Sequence, residues 1–314
     1  MMDNCPDTPL LMVAHDAGGA ELIAAWACKH RVDDSACVAE GPARRVFAGG
    51  RARMLDKADA FARLAEFRTV LTGSSWGADL EKNFIVRATA LGIHCATFLD
   101  HWTDYRERFM FAGQLLLPSE IWVTDEYAMQ IARTAFPGHP IRMVGNYYLD
   151  EITAQVKARS VPASAGRRKK RTLFVSEPLA DAAARKHGDK NYFGYSEIDA
   201  LGSFLDYART HWVQEIEAIR IRRHPSEPPG KFAPFVNAAR PLPIEECGDA
   251  PLVDDCAWAD WIVGCQSMAM VVGLLAGKQV FSAIPLGGLP CAIPHPGIVP
   301  LFQSPPHAML HAPQ

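Results

Sequence analysis

Three clusters in this 314-residue chain carry side chains able to do chemistry. The first is His15-Asp16, followed at once by Gly18-Gly19. A histidine beside a carboxylate has the parts of a general base and its orienting partner; Asp16 is equally suited to capping a helix that starts after it. The second is Asp100-His101-Trp102-Thr103-Asp104-Tyr105-Arg106-Glu107-Arg108, the densest polar-aromatic run in the sequence. Aromatic faces stack on ring-shaped ligands, and arginine pairs with anions in a bidentate fork; the competing reading is a surface loop whose Arg and Glu residues pair with one another. The third comprises Arg223-His224-Pro225 and the turn Gly264-Cys265-Gln266-Ser267. His224 can donate to an anion, with Arg222 and Arg223 adding charge, although Pro225 and Ser226 also make an ordinary turn. Ser267 opens an apolar helix over residues 268–277, whose N-terminal N–H groups and dipole favour an anion.

These clusters need elements to hold them, and the hydrophobic pattern supplies those elements. Leu10–Ala14 is an apolar strand ending in His15-Asp16 and followed by a helix over residues 20–30, where Glu21 is expected as a first-turn dipole partner. Strands are expected at 36–39, 69–73, 93–99, 120–124 and 141–144, and helices at 42–48, 57–66, 79–91, 126–135 and 148–159. After the polar, basic stretch 160–171 the alternation restarts with strands at 172–176, 217–222, 261–265 and 279–284. Helices are expected at 197–211, 254–259 and 268–277, with 178–194 polar and mobile, and the Pro/His-rich tail wrapping the surface.

Alternating strands and helices in two runs predict an α/β protein of two doubly wound, Rossmann-like parallel-sheet domains facing across a cleft. The expected boundaries are 1–159 for a first domain, 160–171 for a linker, 172–290 for a second domain and 291–314 for the tail. Ligands of such sheets bind beyond the carboxyl ends of the strands. That places Gly18, Gly19, Ser74, Trp102, Tyr105 and Arg106 at the strand ends of the first domain, with His15, Asp16, Asp100 and His101 as catalytic candidates. Glu177 ends the strand 172–176, where it is expected either to bind a hydroxyl or to cap.

Composition narrows the function classes. Hydrophobic residues at 49% and charged ones at 21% describe an ordinary globular chain, and a net charge of −3 argues against nucleic-acid binding. Eight cysteines without C-x-x-C spacing read as free thiols of a reducing cytoplasm, and the acidic N-terminus does not read as a signal peptide. No membrane span is expected, though the basic run 167–171 leaves weak peripheral association with anionic lipid open. No cofactor and no metal are expected. The Gly18-Gly19 pair is not a dinucleotide fingerprint, Walker and G-x-S-x-G sequences are absent, and His307 and His311 lack carboxylate partners.

The arrangement resembles glycosyltransferases of the GT-B fold. More narrowly, Arg223-His224-Pro225 after a strand resembles the His-Pro motif of bacterial sialyltransferases and of surface-polymer glycerophosphate transferases. The resemblance implies that His224, Pro225, Gly264, Gln266 and Ser267, with Arg223 and Glu177 beside them, bind the phosphate and nucleotide of a nucleotide-sugar donor. It also implies transfer to a surface glycan or glycoconjugate, with a glycan, lipid-linked or protein acceptor bound on the side of domain 1–159 by Gly18, Gly19, Ser74, Trp102, Tyr105 and Arg106. The motif coverage is confined to the second half. Many GT-B enzymes also carry a glutamate about one turn into the last helix, whereas this one reads Met268-Ala269-Met270-Val271-Val272-Gly273 without an acid. Two other expectations therefore stand beside transfer: a nucleotide-sugar epimerase or hydrolase on the same fold, and a non-catalytic relative.

Overall fold

The computed structural model describes residues 7–160, 169–237, 241–248 and 250–302. The chain divides into two compact units, Met1–Asp150 and Glu151–Gln314. The division falls inside the helix Tyr147–Arg159 rather than at its end. Residues 161–168 of the expected linker and 303–314 of the expected tail, with Cys5, His307 and His311, lie outside the described residues.

Unit 1 is built on strands β1 (Leu10–Ala14), β2 (Ser35–Ala39), β3 (Arg53–Met54), β4 (Thr69–Thr72) and β5 (His94–Phe98), then a small hairpin of β6 (Met110–Phe111) and β7 (Gln114–Leu115), then β8 (Glu120–Val123) and β9 (Ile141–Met143). Apart from the hairpin they form one parallel sheet in the order β3-β2-β1-β4-β5-β8-β9. The connecting helices are α1 (Ala17–Lys29), α2 (Ala43–Ala48), α3 (Lys57–Ala62), α4 (Leu80–Leu91), α5 (Tyr105–Arg108), α6 (Glu126–Ala135) and α7 (Tyr147–Arg159). The run LLMVA shows why the strands are apolar throughout. Leu10, Met12 and Ala14 enter a core with Trp26, Phe47 and Trp122, while Leu11 and Val13 enter another with Leu64, Phe84 and Ile85. Side chains alternate with a period of two and both faces are covered, so neither can be polar.

Unit 2 repeats the plan with β10 (Lys170–Val175), β11 (Ile216–Arg222), β12 (Ile244–Glu246), β13 (Trp261–Gly264), β14 (Gln279–Ser282) and β15 (Ile298–Pro300), all parallel in the order β12-β11-β10-β13-β14-β15. Its helices are α8 (Leu179–His187), α9 (Glu197–Tyr207), α10 (Ala233–Asn237), α11 (Leu252–Trp258) and α12 (Met268–Leu275). Helix α9 starts on a capping box between Ser196 and Asp199 and buries Leu201, Phe204 and Leu205 against Phe174, Ile219 and Val263.

Several expectations need correction. The segment 178–194 holds a helix, because Leu179 and Ala183 stand four residues apart and bury one face. The helix expected over 197–211 ends at Tyr207 and widens into a π-helical turn, Ala208–Trp212. That turn accompanies the seating of Trp212 against Trp261 at 4.6 Å and Phe281 at 5.0 Å. The tail does more than wrap, since β15 adds the edge strand. The polar-aromatic run also leads into α5 and the hairpin, whose tip residues Ala112 (φ 48°) and Gly113 (φ 78°) fit a two-residue type I′ turn.

Phe204 is fully buried and stacks on Phe174 at 5.8 Å. Phe204→Ala should lower the stability of unit 2 by about 3–5 kcal/mol, read from urea unfolding followed by tryptophan fluorescence.

Candidate functional site

In each sheet the winding reverses beside the first strand, between β1 and β4 in unit 1 and between β10 and β13 in unit 2. At such a switch point the two connections leave in opposite directions and open a crevice at the carboxyl ends. Most of the sequence-derived candidates lie at or beside these two places, and Arg106 does not.

In unit 1, His15 donates its backbone N–H to Glu81 Oε1 at 2.8 Å, and its ring Nδ1 lies 2.7 Å from Asp16 Oδ1. A carboxylate only accepts, so Nδ1 carries the proton and Nε2 is the acceptor. Asp16 occupies the N-cap position of α1, yet its side chain makes no cap hydrogen bond. Its carboxylate serves the histidine. Two glycines make the crevice possible. A Cβ on Gly18 would stand 2.5 Å from Asp100 Oδ2, and one on Gly19 would stand 3.0 Å from the Cα of Gly73.

The polar-aromatic run separates into different tasks. Arg108 Nη1 donates to Asp100 Oδ1 at 2.7 Å and to the Ser74 carbonyl at 2.9 Å, while its Nε donates to the Thr103 carbonyl. The Ser74 hydroxyl donates to Asp100 Oδ1 at 3.4 Å. Asp100, Ser74 and Arg108 are thus one connected group at the ends of β4 and β5. Arg106 turns away to the Ala135 carbonyl at the end of α6. Trp102 is buried and donates its indole N–H to Asp125, the N-cap of α6. Tyr105 is also buried, and His101 Nδ1 lies 3.2 Å from the Thr103 hydroxyl.

One carboxyl here, Glu81, escaped the sequence reading, and a second, Glu21, was expected in another role. Glu81 is 2% exposed, and its Oε2 has no hydrogen-bond partner among the described residues. Burial pushes its carboxyl from the usual 4.5 to about 7, against the pull of its amide hydrogen bonds. Glu21 lies in the second turn of α1 rather than the first, because the helix begins at Ala17. Burial raises it to about 7 as well; the Tyr148 hydroxyl opposes that rise and nearby Asp100 adds to it. The one hint of burial in the sequence is spacing: Glu81 stands three, four and seven residues before Phe84, Ile85 and Ala88, which share its buried face.

In unit 2 the turn Gly264-Cys265-Gln266-Ser267 is bonded by a carboxyl from the end of β10. Glu177 Oε1 accepts the Gln266 N–H at 2.7 Å, and the amides of Cys265 and Ser267 also bond this carboxyl. Burial raises Glu177 to about 7 against these three amides, with the charge of Glu227 adding to the rise. Ser267 caps α12 through its hydroxyl, which accepts from the Ala269 N–H. Gly264 leaves room for Val175, whose Cγ2 would be 2.7 Å from an added Cβ.

The His-Pro segment is held from below by Glu227, which is 3% exposed. This carboxylate accepts from the His224 N–H at 2.6 Å, the Ser176 hydroxyl at 3.0 Å and Lys231 Nζ at 2.8 Å. Lys231 also pairs with Glu197. The Ser226 amide lies 3.2 Å from His224 Nδ1 and donates to it, which leaves Nε2–H as the ring's donor. Lost hydration lowers the ring's pKa below 6.5, with Glu227 opposing. Arg223 donates to the Glu227 carbonyl, Arg222 pairs with Asp255, and Pro225 is exposed beside them. Neither arginine therefore projects as an uncommitted charge.

No protein-family model and no curated protein matches the sequence. Solved structures do match. UDP-GlcNAc 2-epimerase from Methanocaldococcus jannaschii aligns with a TM-score of 0.57 and 10% identity, over 87% of this chain and 83% of that one. The UDP-GlcNAc 2-epimerase of Neisseria meningitidis, solved bound to UDP-GlcNAc, gives 0.57 and 11%, over 89% and 83%. The fold is GT-B-like. At this identity the likeness concerns the fold alone. Among the described residues, no helix is long and apolar enough to cross a membrane, and no group of three or more His, Cys, Asp or Glu side chains could hold a metal.

Two outcomes follow from the buried carboxyls. A carboxyl whose folded pKa lies above its unfolded value binds its proton more tightly in the fold. Its stabilising contribution is full below about pH 4.5 and is lost as the pH rises to about 7. Glu81→Gln should therefore lose about 1–3 kcal/mol less stability than the parent between pH 5 and pH 8, measured by urea unfolding at both. In unit 2, an incoming phosphate must displace Glu177 from its amides. Glu177→Ala should tighten binding of inorganic pyrophosphate by about tenfold, and any binding by the parent should be better at pH 6 than at pH 8, as calorimetric titration would report.

Proposed function

We propose that this chain is a metal-independent glycosyltransferase that takes a nucleotide-activated sugar as donor and a surface glycan or glycoconjugate as acceptor. The observation that carries the reading is the convergence of the Cys265, Gln266 and Ser267 amides on one anion at the switch point of unit 2. A nucleotide-sugar presents a diphosphate, and converging amides at a helix start suit it. His224, with Nε2–H as its donor, supplies a further hydrogen bond to the leaving phosphate. His15 is the base: Asp16 holds the Nδ1 proton, and Nε2 takes the proton of the acceptor hydroxyl as that oxygen attacks the anomeric carbon. Glu177 leaves the seat as the donor enters. The narrower kinship with sialyltransferases and glycerophosphate transferases rests on His224-Pro225 and carries no claim about the sugar.

A second reading has its own support. Glu21 and Glu81 are buried carboxyls with pKa values of about 7, suited to giving and taking protons in an epimerase, which needs no acceptor. Incubation with donor alone separates the two, because an epimerase changes the donor's sugar and a transferase leaves it intact.

Calorimetric titration with cytidine, uridine, guanosine and thymidine mono- and diphosphates tests the common ground. One base should bind, and binding by none in a folded sample would sink both readings. With the donor known, His15→Ala and Asp16→Asn should lower kcat by about 10²–10⁴-fold with nucleotide Kd unchanged.

A further inference from the structure

Three charged side chains of unit 2 have no task in the transfer reading: Glu197, Glu227 and Lys231. They form one connected chain. Glu197, the first residue of α9, accepts the Ala180 N–H from the first turn of α8 at 3.1 Å through Oε2, and Lys231 Nζ through Oε1. The same ammonium donates to Glu227 Oε1 at 2.8 Å, and Glu227 Oε2 accepts the His224 N–H at 2.6 Å. Glu197 and Glu227 are 6% and 3% exposed, so water does not stand in for these partners.

One ammonium serves both acids. Their Oε1 atoms lie no more than about 5 Å apart, a separation at which two buried carboxylates do not both stay ionised without a cation between them. Local structure delivers that cation. Gly230 turns the chain at φ 75°, and Phe232 is fully buried in the core that holds Phe204 and Leu205. Lys231 stands between these two residues and reaches both acids.

Glu227 clips the His224 turn twice. Its own N–H donates to the His224 carbonyl at 2.9 Å, while its carboxylate takes the His224 N–H. Inside this closed turn the Ser226 N–H and hydroxyl meet His224 Nδ1 at 3.2 and 2.8 Å. An amide only donates, so Nδ1 accepts and Nε2 carries the proton. A displaced or protonated Glu227 loses its hold on the turn, and the ring is then free to take either tautomer. The other charge facing the ring is Arg185 of α8, which opposes Glu227.

We propose that Lys231 is a positioning residue for His224: it holds two buried carboxylates together, so that Glu227 stays charged and keeps the turn closed with Nε2–H as the ring's donor. The bearing of this on a phosphate rests on the transfer reading; the hold on the ring rests on the network alone. Lys231 acts through Glu227 and needs no contact with a ligand.

The test uses the full chain at pH 8, with the imidazole nitrogens followed by long-range proton–nitrogen NMR and the His224 signals identified by their loss in His224→Asn. The parent should show His224 as the Nε2–H tautomer alone. Lys231→Met should mix the two tautomers, and Lys231→Arg, which keeps the cation, should retain the parent pattern. Lys231→Met combined with Glu197→Gln returns the network to its original net charge and should restore the single tautomer. Circular dichroism checks folding, and where Lys231→Met alone does not fold, the double variant decides. An unchanged pattern in folded Lys231→Met, or mixed tautomers in the double variant, overturns the proposal. Calorimetric titration with inorganic pyrophosphate separates the two ideas, run in a Glu177→Ala background to remove the competing carboxyl. Lys231→Met should weaken that binding by about tenfold. Mixed tautomers with pyrophosphate binding unmoved uphold the hold on the ring and remove His224 from the phosphate. Mixed tautomers with no pyrophosphate binding in any variant uphold the positioning role and remove the donor-phosphate reading alone.

Discussion

The constraint on which most else depends is the reversal of winding beside β1 and β10. Right-handed crossovers lay helices on both faces of a parallel sheet, so the strands must be apolar through and through. Chemistry can then occur only where strands end, and a gap opens only where successive crossovers diverge. In unit 1 that gap is narrow, since Gly19 meets Gly73 backbone to backbone and Gly18 makes way for Asp100. In unit 2 it is spanned by Glu177, which reaches from the end of β10 to the turn after β13.

Charge at these ends is organised by burial. Asp100 is answered by Arg108, and Glu227 by Lys231 together with two further donors, as buried charges require. Glu21, Glu81 and Glu177 pair with no lysine or arginine among the described residues, and burial raises them to about 7 instead. Helix α12 carries no acid of its own, yet an acid reaches its start from the end of β10. The turn's amides are satisfied by that side chain, which is how a helix start avoids leaving its donors bare.

Much of the fold was legible in the residues. Leu10–Ala14 and Glu126–Ala135 have the bounds expected of them, because a buried run and a strongly amphipathic, Asp-capped helix are local signals. Less legible were β12, β15 and α8, which are short or only partly apolar and form because a neighbouring strand or core is already there. Within the polar-aromatic run, composition alone did not separate Arg108, which binds Asp100, from Arg106, which binds the end of α6. The two residues are alike in type and only two apart; their partners lie 8 and 29 residues away.

By itself, the sequence determined the two alternating runs, the apolar strands, the polar strand ends and the adjacency of His15 to Asp16, all properties of neighbouring residues. Tertiary structure decided the strand order, and with it every contact that crosses the sheet. Glu177 and Gln266 are 89 residues apart and meet only because β13 pairs with β10. Glu81 meets His15 across 66 residues because α4 packs beneath β1 and β4. Whether a carboxyl pairs, caps, fills an anion seat or stays protonated depends on which groups those pairings bring within about 3 Å, and local pattern carries no such distance.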